Sequence, residues 1–262
     1  DGNINTTLIQ QDGKILVGGN FNNFNGNSAR QIIRLNQNGT TDNSFNGSFI
    51  GNNEKVYSFA IDSNNKILVG GSFNTYRTTT SKNLIRLNND GTIDRTFNID
   101  GYSNNTKVTS ITIQEDNKIL IGGSFTSYDG VEANSIIRLN SDGTIDNTFI
   151  YGSGFKKNLD GLNVNVSSIT IKNNKILIGG AFTEYNGILA NNLIRLNNNG
   201  SIDNTFSYGS GFNLPVSTIH IQNDGKILCG GDFTSYKGQN SNRIIRINEN
   251  GTVDNTFIIG SG

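Results

Sequence analysis

One short phrase recurs five times along this chain. KILVGG at Lys14 returns as KILVGG at Lys66, KILIGG at Lys118, KILIGG at Lys175 and KILCGG at Lys226. Each copy is followed by an Ile-Arg-(Leu/Ile)-Asn core, with its arginine at Arg34, Arg86, Arg138, Arg195 and Arg246. Each closes with an N-G-[TS]-x-D-x-[TS]-F type of tail, ending at Phe45, Phe97, Phe149, Phe206 and Phe257. Self-similarity at a period of roughly fifty residues means one supersecondary unit stacked many times.

The second repeat shows what that unit is. Residues 56–61 (VYSFAI) alternate and are β-rich, so they read as a first strand. A polar turn at 62–65 leads to a second strand at 66–73 (KILVGGSF), and a loop at 74–82 to a third at 83–88 (NLIRLN). Asn89-Asp90-Gly91 reads as a type I′ hairpin turn, because these residues tolerate positive φ. A fourth strand is expected at 92–97. No window carries a sustained helical pattern. Four short antiparallel strands per repeat describe a β-propeller blade.

The other repeats fit the same phase, with first strands starting near Ile4, Val56, Val108, Val166 and Val216. The expectation is an all-β, single-domain propeller over residues 1–262, of five blades at about 4–55, 56–107, 108–165, 166–215 and 216–262. A linear solenoid, which needs end caps, and part of a ring of six or seven blades are the alternatives. A Gly-Gly pair inside every second strand implies close approach of a neighbouring sheet or a bulge. A phosphate cradle would need the pair to open a helix.

The KIL(V/I)GG-x-F segment, as in residues 118–125, and the IIRLN-x-(D/N)G-(T/S)-x-D-x-(T/S)-F segment, as in 136–149, resemble the delta-60 repeat family. The resemblance covers essentially the whole chain. It implies a propeller in large bacterial surface, secreted or phage tail-fibre-like proteins, and supplies no catalytic residue to carry over.

Composition narrows the partners. Lys plus Arg and Asp plus Glu each number 21, so net charge is zero, whereas nucleic acid and anionic membranes select basic surfaces. No apolar run is long enough to span a membrane. The absence of Met suggests a processed or excised chain, and the one cysteine, Cys229, leaves no internal disulfide framework.

The repeated arginines and the repeated Asp42, Asp94, Asp146, Asp203 and Asp254 flank one hairpin in each copy. A structural Arg–Asp pair is the expectation, with an anion-binding arginine ring the alternative. The Asp/Asn-Gly turns lack the ligand count of a calcium loop, so no metal and no cofactor are expected. His220 has no partner histidine or nucleophile motif beside it, and Cys229 stands where Val17, Val69, Ile121 and Ile178 stand in the other copies. Glycoside hydrolysis would need paired carboxylates, and the first strands hold none; the chain reads as no enzyme.

Information that differs between copies collects in two places. Loops between the second and third strands share an aromatic, then diverge as Asn27-Ser28, Thr78-Thr79, Val131-Glu132, Ile188-Leu189 and Gln239-Asn240. The connection at 150–165 is the longest between repeats. In a meandering blade both sets fall on one face. The chain is therefore expected to be a non-catalytic binding or adhesion module of a cell surface or virion. Its partner would be a glycan or surface protein, met through Tyr76, Tyr128, Tyr185, Tyr236, Phe155, Lys156 and Lys157. The alternative is a spacer in a larger assembly; a carboxylate pair at the axis would instead revive a carbohydrate-active enzyme. Each aromatic packing over its own hairpin is the competing account of those rings.

Overall fold

The computed structural model describes residues 2–49, 51, 54–98, 106–156 and 164–258. Among the described residues there are strands and turns and no helix. The chain falls into two compact units that divide within the third repeat. One comprises Asp1–Ile121, Phe125–Val131 and Arg138–Ile145; the other comprises Gly122–Ser124, Glu132–Ile137 and Asp146–Gly262.

Every repeat is a small antiparallel sheet with its second strand in the middle. In the second repeat the strands are Lys55–Ile61, Ile67–Ser72 and Leu84–Leu87. In the fourth they are Asn165–Lys172, Lys175–Ala181 and Leu193–Asn197. The expected fourth strand is one residue wide: Leu87 bridges Ile93, Leu196 bridges Ile202, and Ile247 bridges Val253. The next residue ends it. Asp94 Oδ1 accepts from the Thr96 amide at 3.1 Å and its hydroxyl at 2.7 Å, so a side-chain turn replaces the next ladder rung. The preceding turn also differs from expectation. Only Gly91 has positive φ there, whereas the paired positive φ of a type I′ turn occurs at Asn25–Gly26, Asn186–Gly187 and Lys237–Gly238, in the loops between second and third strands.

Both glycines of the Gly-Gly pair have a steric reason, and they are different reasons. A Cβ on Gly70 would lie 2.5 Å from Val108 Cγ1 and 2.9 Å from Ile111 Cδ1, side chains of the next repeat. A Cβ on Gly71 would lie 2.1 Å from the Lys55 carbonyl oxygen. That carbonyl comes close because the first strand slips register between Val56 and Ser58, a bulge. The same slip recurs at Val166/Ser168 and Val216/Thr218. Within each unit the core lies between successive sheets. Val56, Ile67, Leu68 and Val69 are wholly buried in the first unit, and Val166, Ile176, Ile178 and Val216 in the second. Each such side chain contributes about 1.5–3 kcal/mol relative to exposure.

Candidate functional site

The two edges of the sheets are held by different chemistry. At the edge carrying the Asp/Asn-Gly turns, the arginine in the third strand is buried at Arg34, Arg86 and Arg138 and half-buried at Arg195 and Arg246. Arg86 Nε donates to Asp94 Oδ2 at 2.8 Å, its guanidinium lies 4.6 Å from the Phe97 ring centroid, and Nη1 donates to the Ser141 carbonyl of the next repeat. Arg34 does the same with Asp42, Phe45 and the Asn89 carbonyl, and Arg195 with Asp203, Phe206 and the Glu249 carbonyl. The lysine that opens the KIL motif adds a second cation at Lys14, Lys66, Lys175 and Lys226: Lys14 lies 2.9 Å from Asp42 and Lys226 lies 2.9 Å from Asp254. Burial alone would raise the Asp203 carboxyl, but hydrogen bonds from the Thr205 hydroxyl and amide and from Arg195 outweigh it and hold the group at about 2. Arg34, Arg86 and Arg195 are thus staples within and between repeats.

The opposite edge carries the loops in which sequence alone places binding residues. Each loop folds back as a two-residue ladder, such as Thr75–Tyr76 with Thr79–Thr80 and Glu184–Tyr185 with Ile188–Leu189. The variable pair of the second repeat is thus Thr79-Thr80, one residue beyond the reading from sequence. Tyr76, Tyr128, Tyr185 and Tyr236 are 0–1% exposed. Their hydroxyls donate to the carbonyls of Gly91, Gly143, Gly200 and Gly251 at 2.7–2.9 Å. Phe155 is also buried, at 1%. It lies 4.4 Å from Phe182 and 4.7 Å from Tyr185, centroid to centroid. Phe49 with Phe73 and Tyr76, and Phe212 with Phe233 and Tyr236, repeat this trio.

These rings are a clasp. Each trio fastens the connection from one repeat onto the hairpin of the next, and its faces are spent on one another. This corrects the expectation that the four tyrosines and Phe155 offer their rings to a ligand. Lys156 is exposed, and Lys157 lies outside the described residues. His220 is exposed on its strand. Cys229 is buried, and desolvation pushes its thiol up to about 12, as suits a small core residue.

What the clasp leaves outside is the tip of each hairpin and part of the connection between repeats. Ile188 is 49% exposed, Leu189 56% and Leu214 45%. Leu214 follows the loop Tyr208-Gly-Ser-Gly-Phe212, a twin of Tyr151-Gly-Ser-Gly-Phe155. Gly209 and Gly211 both have positive φ, and a Cβ on Gly211 would lie 2.3 Å from the Asn191 carbonyl oxygen. Asn191 Nδ2 secures this loop through the Ser210 carbonyl at 2.9 Å, and Asn213 Oδ1 accepts the Thr234 and Ser235 amides at 3.0 Å each. Beside it, within the second unit, a cavity of about 390 Å³ is lined by Thr183, Asn191, Ser210, Asn213, Leu214, Pro215 and Ser235 among others. Its polar groups are all uncharged. The doubled YGSGF motif is the sequence signal for this site, because only a demanding backbone path repeats two positive-φ glycines.

The family model described as "Domain of unknown function (DUF5122) beta-propeller" matches residues 10–45, 63–97, 114–149, 172–206 and 222–257. No curated protein matches the chain. Among solved structures, it is similar to the gluconolactonase XC5397 of Xanthomonas campestris, with 10% identity over 92% of this chain and 71% of that one, at a TM-score of 0.54. It is similar to a protein of unknown function from Bacteroides caccae, at 12% identity over 96% and 80% with a TM-score of 0.52. It also resembles the computationally designed Ika8 protein, at 11% identity and a TM-score of 0.53, covering 94% of this chain but only 58% of Ika8. At these identities the likeness is one of fold.

Proposed function

The chain belongs to the DUF5122 beta-propeller family, and on that premise we propose that it is a non-catalytic binding module that meets a protein partner through the loop edge of its second unit. One observation carries this. Repeated clasps hold hairpins whose tips differ, and in the second unit one tip exposes Ile188 and Leu189 while the neighbouring connection exposes Leu214 at the rim of an uncharged cavity. Apolar anchors ringed by amides and hydroxyls match the make-up of a protein contact. The repeated carboxylates give no support to catalysis, since Asp42, Asp94, Asp203 and Asp254 each hold an arginine and a lysine.

A glycan is the second reading. It rests on the cavity itself, whose asparagine, serine and threonine lining suits sugar hydroxyls; the buried aromatics count against it. A cell-surface or virion setting, and the narrower kinship to the delta-60 repeat, belong to the same proposal and rest on the repeated motifs. Two screens run in parallel, a displayed-peptide library and a glycan array, test it. The expected result is a selected peptide whose binding falls at least tenfold in Leu189→Asp and in Leu214→Asp and is unchanged in Lys14→Gln. Peptide binding indifferent to both tip variants would sink the reading; a glycan hit lost in Asn213→Ala would transfer the site to the second one.

A further inference from the structure

One connection in the first unit holds more buried oxygens than its own donors serve. Glu54, 9% exposed, fastens the segment that follows the second strand of the second repeat: its Oε1 accepts the Asn74 and Thr75 amides at 3.2 and 3.3 Å. Its Oε2 is buried and receives no hydrogen bond, and no lysine or arginine among the described residues pairs with the carboxylate. In the fifth repeat the same work is done without charge, by Asn213 Oδ1 on the Thr234 and Ser235 amides. Holding this loop therefore does not call for a carboxylate, and burying an unpaired one is costly.

Gln31 brings a second such oxygen to the same stretch of backbone. It is 1% exposed, and its Nε2 lies 3.4 Å from the Gly51 carbonyl oxygen and 3.2 Å from Asn22 Oδ1. Gly51 in turn backs onto Glu54: a Cβ there would lie 2.8 Å from Glu54 Cδ and 2.9 Å from its Oε1. Gln31 Oε1 is buried and accepts nothing. The equivalent side chains elsewhere leave no such surplus. Asn83 spends its Oδ1 on the Phe73 amide and its Nδ2 on Thr106 Oγ1, and Asn192 spends its pair on the Phe182 amide and the Phe212 carbonyl. Ser81 Oγ is a third buried oxygen without a partner, where Ala29, Ala133 and Ala190 stand in other repeats. The Ser81 amide donates to the carbonyl of Asn74, the residue whose amide goes to Glu54. All four residues belong to the first unit.

We propose that this connection binds a calcium ion, with Glu54 Oε2 and Gln31 Oε1 among its ligands. Acceptors that outnumber their donors, one of them on a full negative charge, are what a hard cation satisfies. Carboxylate and side-chain amide oxygens are ligands that calcium takes in flexible geometry, whereas magnesium demands a strict octahedron and sheds water reluctantly. The ion neutralises the buried carboxylate and ties Gln31 of the first repeat to Glu54 of the second. A single carboxylate puts the site at the weak end of calcium affinity, with a Kd of about 10⁻⁴–10⁻³ M.

Calorimetric titration of the full chain with CaCl2, after chelator treatment, tests it, and urea melts verify that each variant is folded. The wild type is expected to bind one calcium ion per chain, and magnesium at least tenfold more weakly. Glu54→Gln keeps an oxygen for the Asn74 and Thr75 amides and is expected to bind no calcium over the same range. Gln31→Asn installs the residue found at Asn83 and Asn192, with the same positive φ, and is expected to bind at least tenfold more weakly. Asp142→Asn, a residue that Asn38, Asn199 and Asn250 already supply in other repeats, is expected to bind like the wild type, which separates this site from the turns. A wild type that binds no calcium, or binds it no better than magnesium, would overturn the proposal. So would binding that is unchanged in Glu54→Gln or Gln31→Asn, or lost in Asp142→Asn. Absent binding together with a Glu54→Gln chain more stable than wild type near neutral pH would overturn it in favour of a protonated carboxyl, which burial favours.

Discussion

The turn edge and the loop edge of the same repeats teach opposite lessons from equal repetition. At the turn edge Arg86, Asp94, Lys66 and Phe97 repeat, and all that they touch is protein. At the loop edge Tyr185 repeats in every copy but the first, where Phe24 stands, yet directly after its turn the chain reads Ile188-Leu189 where other copies read Gln239-Asn240 or Thr79-Thr80. Repetition marks what holds the blades, on both edges. Only side chains that vary on a clasped frame are free to face a partner. The repeated Tyr76, Tyr128, Tyr185 and Tyr236 on the variable edge therefore belong to the framework.

The strongest test of that contrast is Arg86→Ala. It removes the Asp94 pair, the Ser141 staple and the stack on Phe97, leaving a carboxylate that is 4% exposed without its arginine. Equilibrium urea unfolding should show a loss of about 3–5 kcal/mol. Acid should attack the same edge. Asp203 sits at about 2 in the fold against an ordinary 3.8, and Asp42, Asp94 and Asp254 are lowered too. A depressed folded value contributes stability that is present above the unfolded value and lost as pH falls through the folded one. Urea midpoints should hold down to about pH 4 and drop steeply from there toward pH 2; a flat profile across that window would show that the pairs are idle.

Gly70→Ala should follow in size. Its Cβ would press within 2.5 Å of Val108, so overpacking costs about 1–3 kcal/mol. Gly230→Ala, whose Cβ would meet Thr218 Cγ2 at 3.1 Å and the Arg243 carbonyl oxygen at 3.8 Å, should stay within about 0.5 kcal/mol in the same melt. Tyr185→Phe tests the clasp without emptying it. Loss of the hydroxyl bonds to the Gly200 and Ile150 carbonyls should cost about 1–2 kcal/mol. Smallest is Leu189→Asn, expected within about 0.5 kcal/mol of wild type in stability while peptide binding falls. If Leu189→Asn proved as damaging as Tyr185→Phe, the division into frame and tip would fail.

Much of the fold was readable from residues. The alternation in 56–61, the apolar second strand and the turn residues placed three of the four strands, because period-two burial is a local pattern. The fourth strand was misread. Thr92-Ile-Asp alternates well enough, but the hydrogen bonds of Asp94 to Thr96 end the ladder, and side-chain competition of that kind leaves no periodic trace. The Arg–Asp pair was legible from its spacing across one hairpin. For the candidate site, the expectation turned the tyrosines and Phe155 toward a ligand, and the structure buries them. Tyr128 and Phe155 have surface-type composition around them, yet they are buried by residues distant in sequence, Phe155 by Phe182 and Tyr185.

By itself, then, the sequence determined the period, the strands and the paired charges, since each depends on neighbours along the chain or on a partner across one turn. Tertiary structure alone decided which glycine meets a bulge and which meets the next repeat. It also turned the aromatic rings inward and left Ile188, Leu189 and Leu214 outside. The physical reason is that burial belongs to the space between sheets. A tyrosine carries an apolar ring that packs and a hydroxyl that must find an acceptor, and here the nearest acceptor is a glycine carbonyl fifteen residues away.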